Sequence, residues 1–139
     1  SNNFRFIDGV KESIAFFSTY FQRIIIVTNQ QGIGKGLMTK NELNVLHDYM
    51  LTEINKFGGN IDKIYFCPHL FSESCECRKP NSGMLIQAKS DFVDIDFSKS
   101  ILVGDSNSDI LAAENVGVKA IKVSANYTLL HWKNEFFKN

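Results

Sequence analysis

All three cysteines of the 139-residue chain, and one of its three histidines, fall between positions 67 and 77. They run Cys67-Pro68-His69, a five-residue spacer, then Cys75-Glu76-Cys77. Two tight pairs of soft ligands can close a tetrahedral shell around one Zn²⁺. Arg78-Lys79-Pro80 follows at once, so a metal-pinned loop would fix two cations in space. The alternative is ordinary buried thiols and a surface histidine. It fits poorly with a Ser/Glu-rich segment that offers little apolar cover.

Two further constellations can do chemistry. Thr28-Asn29-Gln30 precedes the glycine-rich Gly32-Ile33-Gly34-Lys35-Gly36. A hydroxyl, a side-chain amide and freed backbone N–H groups make an anion cradle. Gly36 and Leu37 follow Lys35, so this is not the Gly-Lys-Ser/Thr nucleotide loop. A Thr-Asn pair at a strand end can equally be only a turn or a cap. In Gly104-Asp105-Ser106-Asn107-Ser108-Asp109, two carboxylates stand four residues apart. They can hold Mg²⁺, which prefers oxygen ligands. Ser108 or Asp109 can also serve as a helix N-cap, and the two roles are compatible.

The elements that must position these residues follow from periodicity. Val10, Ile14, Phe17 and Phe21 recur at helical spacing, predicting a helix from about Val10 to Phe21. Arg23 to Asn29 is a short β-branched run suited to a strand buried on both faces. Thr39 and Glu42 form a capping box for a helix striped by Leu43, Leu46, Met50, Ile54 and Phe57 and closed by Gly58-Gly59. His47 shares that stripe and reads as a packed edge residue. Lys63 to Phe66 is a second strand, running into the cysteine loop. Ser82 can cap a helix carrying Leu85, Ala88 and Phe92. Ser100 to Val103 is a third strand, the segment from about Asp109 to Val116 a helix stopped by Gly117, and Val118 to Val123 a fourth strand. The tail, with Leu129, Trp132 and Phe136, predicts a short helix on the sheet edge. His131 and Trp132 read there as apolar cover rather than as ligands. Alternating strands and helices imply a three-layer, Rossmann-like α/β fold with a mainly parallel sheet. In such sheets ligands gather beyond the C-terminal ends of the strands, where all three constellations lie.

Bulk properties set limits. The length suits one domain spanning residues 1–139. Lys plus Arg and Asp plus Glu number 15 each, so no global field recruits nucleic acid or an anionic membrane. Apolar runs such as Ile24 to Val27 are too short to span a bilayer, and no basic-then-apolar secretory pattern opens the chain. Three cysteines cannot pair off evenly, which fits metal-bound thiolates in a reducing compartment. The chain reads as soluble and cytoplasmic.

The sequence resembles the HAD-superfamily phosphatases, in the branch holding D,D-heptose bisphosphate phosphatases and the phosphatase domain of histidinol-phosphatases. The resemblance is carried by Phe6 to Val10 (FIDGV), Val27 to Gln30 (VTNQ), the cysteine loop with Cys77 to Pro80 (CRKP), and Val103 to Asp105 (VGD) with Asp109. It covers nearly the whole chain up to Val123. It implies that Thr28 binds the transferring phosphoryl group, with Asn29 beside it, and that Lys79 neutralises that group. Arg78 would contact the rest of a phosphorylated substrate. Asp105 would ligate Mg²⁺ with Asp109 in support, and Cys67, His69, Cys75 and Cys77 would hold a structural Zn²⁺. The implied reaction is Mg²⁺-dependent hydrolysis of a phosphomonoester on a small phosphorylated metabolite such as D-glycero-D-manno-heptose 1,7-bisphosphate. Histidinol phosphate is the alternative substrate. A catalytically dead, zinc-stabilised phosphosugar-binding domain is the alternative from another class.

One part of the family pattern is missing from the 139 residues. Members carry an Asp-x-Asp-Gly segment on a central strand, whose first Asp attacks phosphorus and whose second acts as acid and base. Asp8-Gly9-Val10 resembles its tail, but the nucleophile position would then be Phe6, so Asp8 is assigned no catalytic role. The resemblance places that strand between those at Ile24 and Ile101. The expectation is that the slot is filled by an N-terminal segment, by a partner strand, or by Asn3 to Ile7.

Overall fold

The computed structural model describes residues 9–29, 36, 38–67, 77 and 79–137. Asp8, Asn3 to Ile7, Gln30, the Gly32–Lys35 stretch, His69, Cys75 and Arg78 therefore lie outside the described residues, as does the side chain of Asn29. The chain forms two compact units, the first from residues 1–26, 38–64 and 127–139, the second from residues 27–37 and 65–126.

The first unit is built on helices. α1 (Val10–Tyr20) begins at Gly9, whose φ of +85° is left-handed. A Cβ there would also meet the Leu130 side chain at 2.7 Å, so glycine is required on both counts. α2 (Lys40–Lys56) opens with the capping box read from the sequence: Glu42 N–H donates to Thr39 Oγ1 at 3.0 Å, and Thr39 N–H to Glu42 Oε1 at 3.1 Å. Leu43 and Ile54 are fully buried, and His47 packs inside with them. Burial lowers the His47 pKa against the opposing pull of Asp48. Phe57, by contrast, stays exposed.

α5 (Leu129–Phe136) is the tail helix. It lies on α1 rather than on a sheet edge: the Trp132 ring sits 5.1 Å from Phe17, and Phe136 meets Tyr20 and Phe21. The aromatic stripe of α1 offers it a matching apolar surface, which amphipathicity alone does not identify.

β1 (Ile25–Asn29) pairs with β2 (Lys63–Cys67) in one two-stranded sheet. β3 (Ile101–Gly104) pairs in parallel with β4 (Lys119–Lys122) in another, in the register Ile101↔Lys119 through Gly104↔Lys122. Among the described residues the expected single sheet is thus two pairs, and no strand joins β1 to β3. All of β3 is only half-buried, although its apolar side chains are of the kind that fill a sheet interior.

In the second unit, α3 (Gly83–Asp91) buries Met84 and Ala88. Ser82 occupies its N-cap position without capping it; its hydroxyl instead donates to Ala112 O at 2.8 Å, one of the last four carbonyls of α4 (Asn107–Glu114). α4 starts earlier than its apolar pattern suggests, and its N-cap is Ser106 rather than Ser108 or Asp109. The reason is a second capping box, in which Asp109 stands at the third helical position and answers Ser106 reciprocally. Buried Tyr65 of β2 donates to Asp91 at 2.6 Å, and burial with that bond pushes its phenol up to about 12.

Replacing Trp132 by Ala removes the central ring of the α1–α5 contact. The expected loss is about 3–5 kcal/mol of stability, measured by urea unfolding. A loss below about 1 kcal/mol, the level of a surface change, would contradict this packing.

Candidate active site

Three chain segments of the second unit meet at the C-terminal end of the strands. The first is the end of β1, where half-buried Thr28 follows Val27. The second is Lys79, two residues beyond Cys77. The third is the turn from β3 into α4. Lys79 Nζ pairs with Asp109 Oδ1 and donates to Val27 O at 3.4 Å. Lys79, the carbonyl at the end of β1 and Asp109 thus converge.

Gly104 makes this possible. A Cβ on it would lie 2.5 Å from both the Cβ and Oδ2 of Asp109, so only glycine lets the acid fold back over the strand end. Asp109 is 5% exposed. Its Oδ2 accepts from Ser106 N–H at 3.2 Å and from Ser106 Oγ at 3.0 Å, leaving Oδ1 for Lys79. Burial pushes the Asp109 carboxyl up, but the hydrogen bond and charge of Lys79, with the bonds from Ser106, outweigh it and hold the group below the ordinary carboxylate range. Asp105, between Gly104 and Ser106, is exposed.

The metal expectations fare differently. Mg²⁺ takes a shell of oxygen ligands, and exposed Asp105 can give one carboxylate. Asp109 has both oxygens engaged. Among the described residues no group of three or more His, Cys, Asp or Glu is gathered for a metal. The rest of an Mg²⁺ shell would therefore come from water, a phosphate and residues outside the described set. For the cysteines, the structure joins Cys67 and Cys77 as a disulfide. Their Cα atoms are 5.7 Å apart, inside the span that allows the covalent link. Either linkage draws the end of β2 against the residue two before Lys79.

Sequence reasoning did not assign Ser106 or the Val27 carbonyl. Ser106 had a usable signal, because Ser106-x-x-Asp109 repeats the pattern of Thr39-x-x-Glu42. The carbonyl had none, since any strand end has one.

The class that this fold and lysine–carboxylate site define is matched by a family model described as HAD-hydrolase-like, over residues 76–133. That stretch contains Cys77, Lys79, Asp105 and Asp109. The chain is 45% identical over 116 residues to the D-glycero-alpha-D-manno-heptose-1,7-bisphosphate 7-phosphatase of Campylobacter jejuni, covering 84% of this chain and 66% of that protein. It is 40% identical over 129 residues to the D-glycero-beta-D-manno-heptose-1,7-bisphosphate 7-phosphatase of Yersinia pestis, covering 86% and 68%. The crystal structure of D,D-heptose 1,7-bisphosphate phosphatase from B. bronchiseptica, complexed with magnesium and phosphate, superposes with a TM-score of 0.80 at 32% identity, over 94% of this chain and 70% of that one. The chain belongs to this heptose-bisphosphate phosphatase family of HAD-like hydrolases. It spans about two thirds of the length of the curated relatives it matches.

A carboxyl whose folded pKa is depressed stabilises the fold above its unfolded value, ~3.9 for Asp, and that stabilisation is lost as pH falls through the folded value. Wild type and Asp109→Asn should therefore differ most in stability near neutral pH and converge as the acid side is approached. Urea titrations from pH 7 down to about pH 3 check this, and parallel curves throughout would rule the ion pair out.

Proposed function

We propose that this chain carries the phosphoryl-binding side of a Mg²⁺-dependent phosphomonoester hydrolase acting on a heptose 1,7-bisphosphate. The observation that carries the reading is the placement of Lys79 by Asp109 and the Val27 carbonyl, one residue from Thr28. A phosphoryl group bound by the Thr28 hydroxyl and backbone would lie within reach of the ammonium. The Lys79 side chain is 14% exposed, so its charge acts where water screens little. Asp109 holds the ammonium in position. Asn29 and Arg78 would contact the remainder of the sugar.

Bound at Asp105, Mg²⁺ would supply charge neutralisation at the phosphoryl oxygens. Among the described residues, the acids at this end are Asp105, suited to metal, and Asp109, committed to Lys79. The nucleophilic carboxylate is therefore assigned to a strand seated between β1 and β3 and contributed by residues outside the described set. The relatives' names favour heptose bisphosphate over histidinol phosphate, and they include both anomers.

Zn²⁺ is assigned to Cys67, His69, Cys75 and Cys77 in the reduced protein, as a structural ion that fixes the loop carrying Arg78 and Lys79. A cytoplasmic setting, which keeps thiols reduced, favours that state over the disulfide. No helix among the described residues is long and apolar enough to cross a membrane. The partner is a small phosphorylated metabolite, not nucleic acid or a lipid surface.

Calorimetric titration with inorganic phosphate in Mg²⁺ tests the site: Lys79→Met should weaken binding about 10- to 100-fold, the worth of a charge-assisted hydrogen bond. The 139 residues alone should release no phosphate from the heptose bisphosphate, and joining an N-terminal strand ending in Asp-x-Asp-Gly should switch release on. Turnover by the 139 residues that disappears in Asp8→Asn would overturn this division of the site. A chain that binds phosphate but stays inactive with the added strand would be the phosphosugar-binding domain instead.

Metal analysis of protein purified with a reductant should find one zinc per chain, lost in Cys75→Ser. Absence of zinc in the reduced wild type would overturn the zinc assignment.

A further inference from the structure

We propose that Ser106 is a positioning residue for Lys79, holding one oxygen of Asp109 so that the other is presented to the ammonium. This rests on the reading of Lys79 as the phosphoryl-binding cation. A carboxylate held through a single oxygen can turn about its last torsion, which is broad and twofold. Asp109 is held through both. Oδ2 takes the Ser106 N–H at 3.2 Å and the Ser106 hydroxyl at 3.0 Å, and Oδ1 takes Lys79.

The hydroxyl is itself fully specified. It has one proton and two acceptor positions. The acceptor positions can be filled by Asp109 N–H at 3.3 Å and by the Ser108 hydroxyl, whose oxygen is 2.8 Å away. The single proton is then left for Asp109 Oδ2.

A capping box that served only to start a helix would look like the one at α2. There the acid, Glu42, is exposed. At α5 the third helical position is His131, which is also exposed. At α4 the same motif has a buried acid, and that acid is the partner of Lys79. The shorter side chain of aspartate, which Gly104 alone accommodates, keeps the carboxylate over the strand end.

The decisive measurement is competitive reductive methylation of the 139-residue chain, read lysine by lysine by mass spectrometry. Lys122, which bonds Asn107 and not Asp109, serves as the internal reference. Ser106→Ala should raise the labelling rate of Lys79 relative to Lys122 about fivefold, the effect of losing one modest hydrogen bond. Ser106→Thr, which keeps the hydroxyl, should restore the wild-type ratio. Where Ala fails to fold, Ser106→Gly is the hydroxyl-free cap that helices tolerate best, and it should behave as Ala does.

In the same variants, affinity for inorganic phosphate should fall about threefold to tenfold for Ala or Gly and stay at the wild-type value for Thr. A lower melting temperature with an unchanged Lys79 ratio would overturn the proposal and leave Ser106 as a helix cap only. A wild-type chain that binds no phosphate would instead remove the phosphatase reading, while the labelling ratio still decides whether Ser106 sets Lys79.

Discussion

The ion pair between Lys79 and Asp109 is the constraint on which the rest of the site depends. Both side chains are largely withdrawn from water, at 14% and 7% exposure. Desolvating two charges is costly, and their attraction offsets that cost only when the remaining polar atoms are also satisfied. Here the spare carboxylate oxygen goes to Ser106, and the ammonium finds the Val27 carbonyl. Three segments far apart in sequence are thereby held to a common point: the end of β1, Lys79 two residues beyond Cys77, and the first turn of α4. Gly104 is the steric condition for the arrangement, because any side chain there would occupy the place of the acid.

Much of this was legible in the sequence, for physical reasons that differ from element to element. The α2 start was readable because Thr39 and Glu42 satisfy each other locally, without help from the rest of the fold. The strands were readable as short apolar runs, β-branched at β1, with polar residues following three of them. Lys79 was readable only through its neighbours, the cysteines and Pro80. The start of α4 was misplaced because Ser106, Ser108 and Asp109 lie within four residues and can each cap, and only the buried partner of Asp109 decides among them. Ser82 carries the same lesson. By type it is a helix cap, yet its hydroxyl goes to an orphan carbonyl on another helix, a choice set by tertiary proximity.

Other features lay beyond local pattern altogether. The tail helix has a clear apolar stripe, but amphipathicity says that a face is covered without saying by what. The aromatic side chains of α1 settle it. The division into two strand pairs depends on which backbone groups find partners, and that is not encoded in the four short runs themselves. The thiols are similar: spacing brings Cys67 and Cys77 into reach, and the redox setting determines whether they bind each other or a metal.

The bond from Ser82 to Ala112 has a mechanical consequence. Ser82 lies three residues after Lys79, and Ala112 three residues after Asp109, so the two chain segments are riveted at matching offsets. A second rivet, from the Asn115 amide to the Pro80 carbonyl at 3.5 Å, lies close by. Because each helical residue advances by about 100°, inserting or deleting one residue between the rivets would throw them out of phase. A change of length between the rivets would therefore cost at least one of these bonds, whereas an exchange of exposed side chains there would leave both in place.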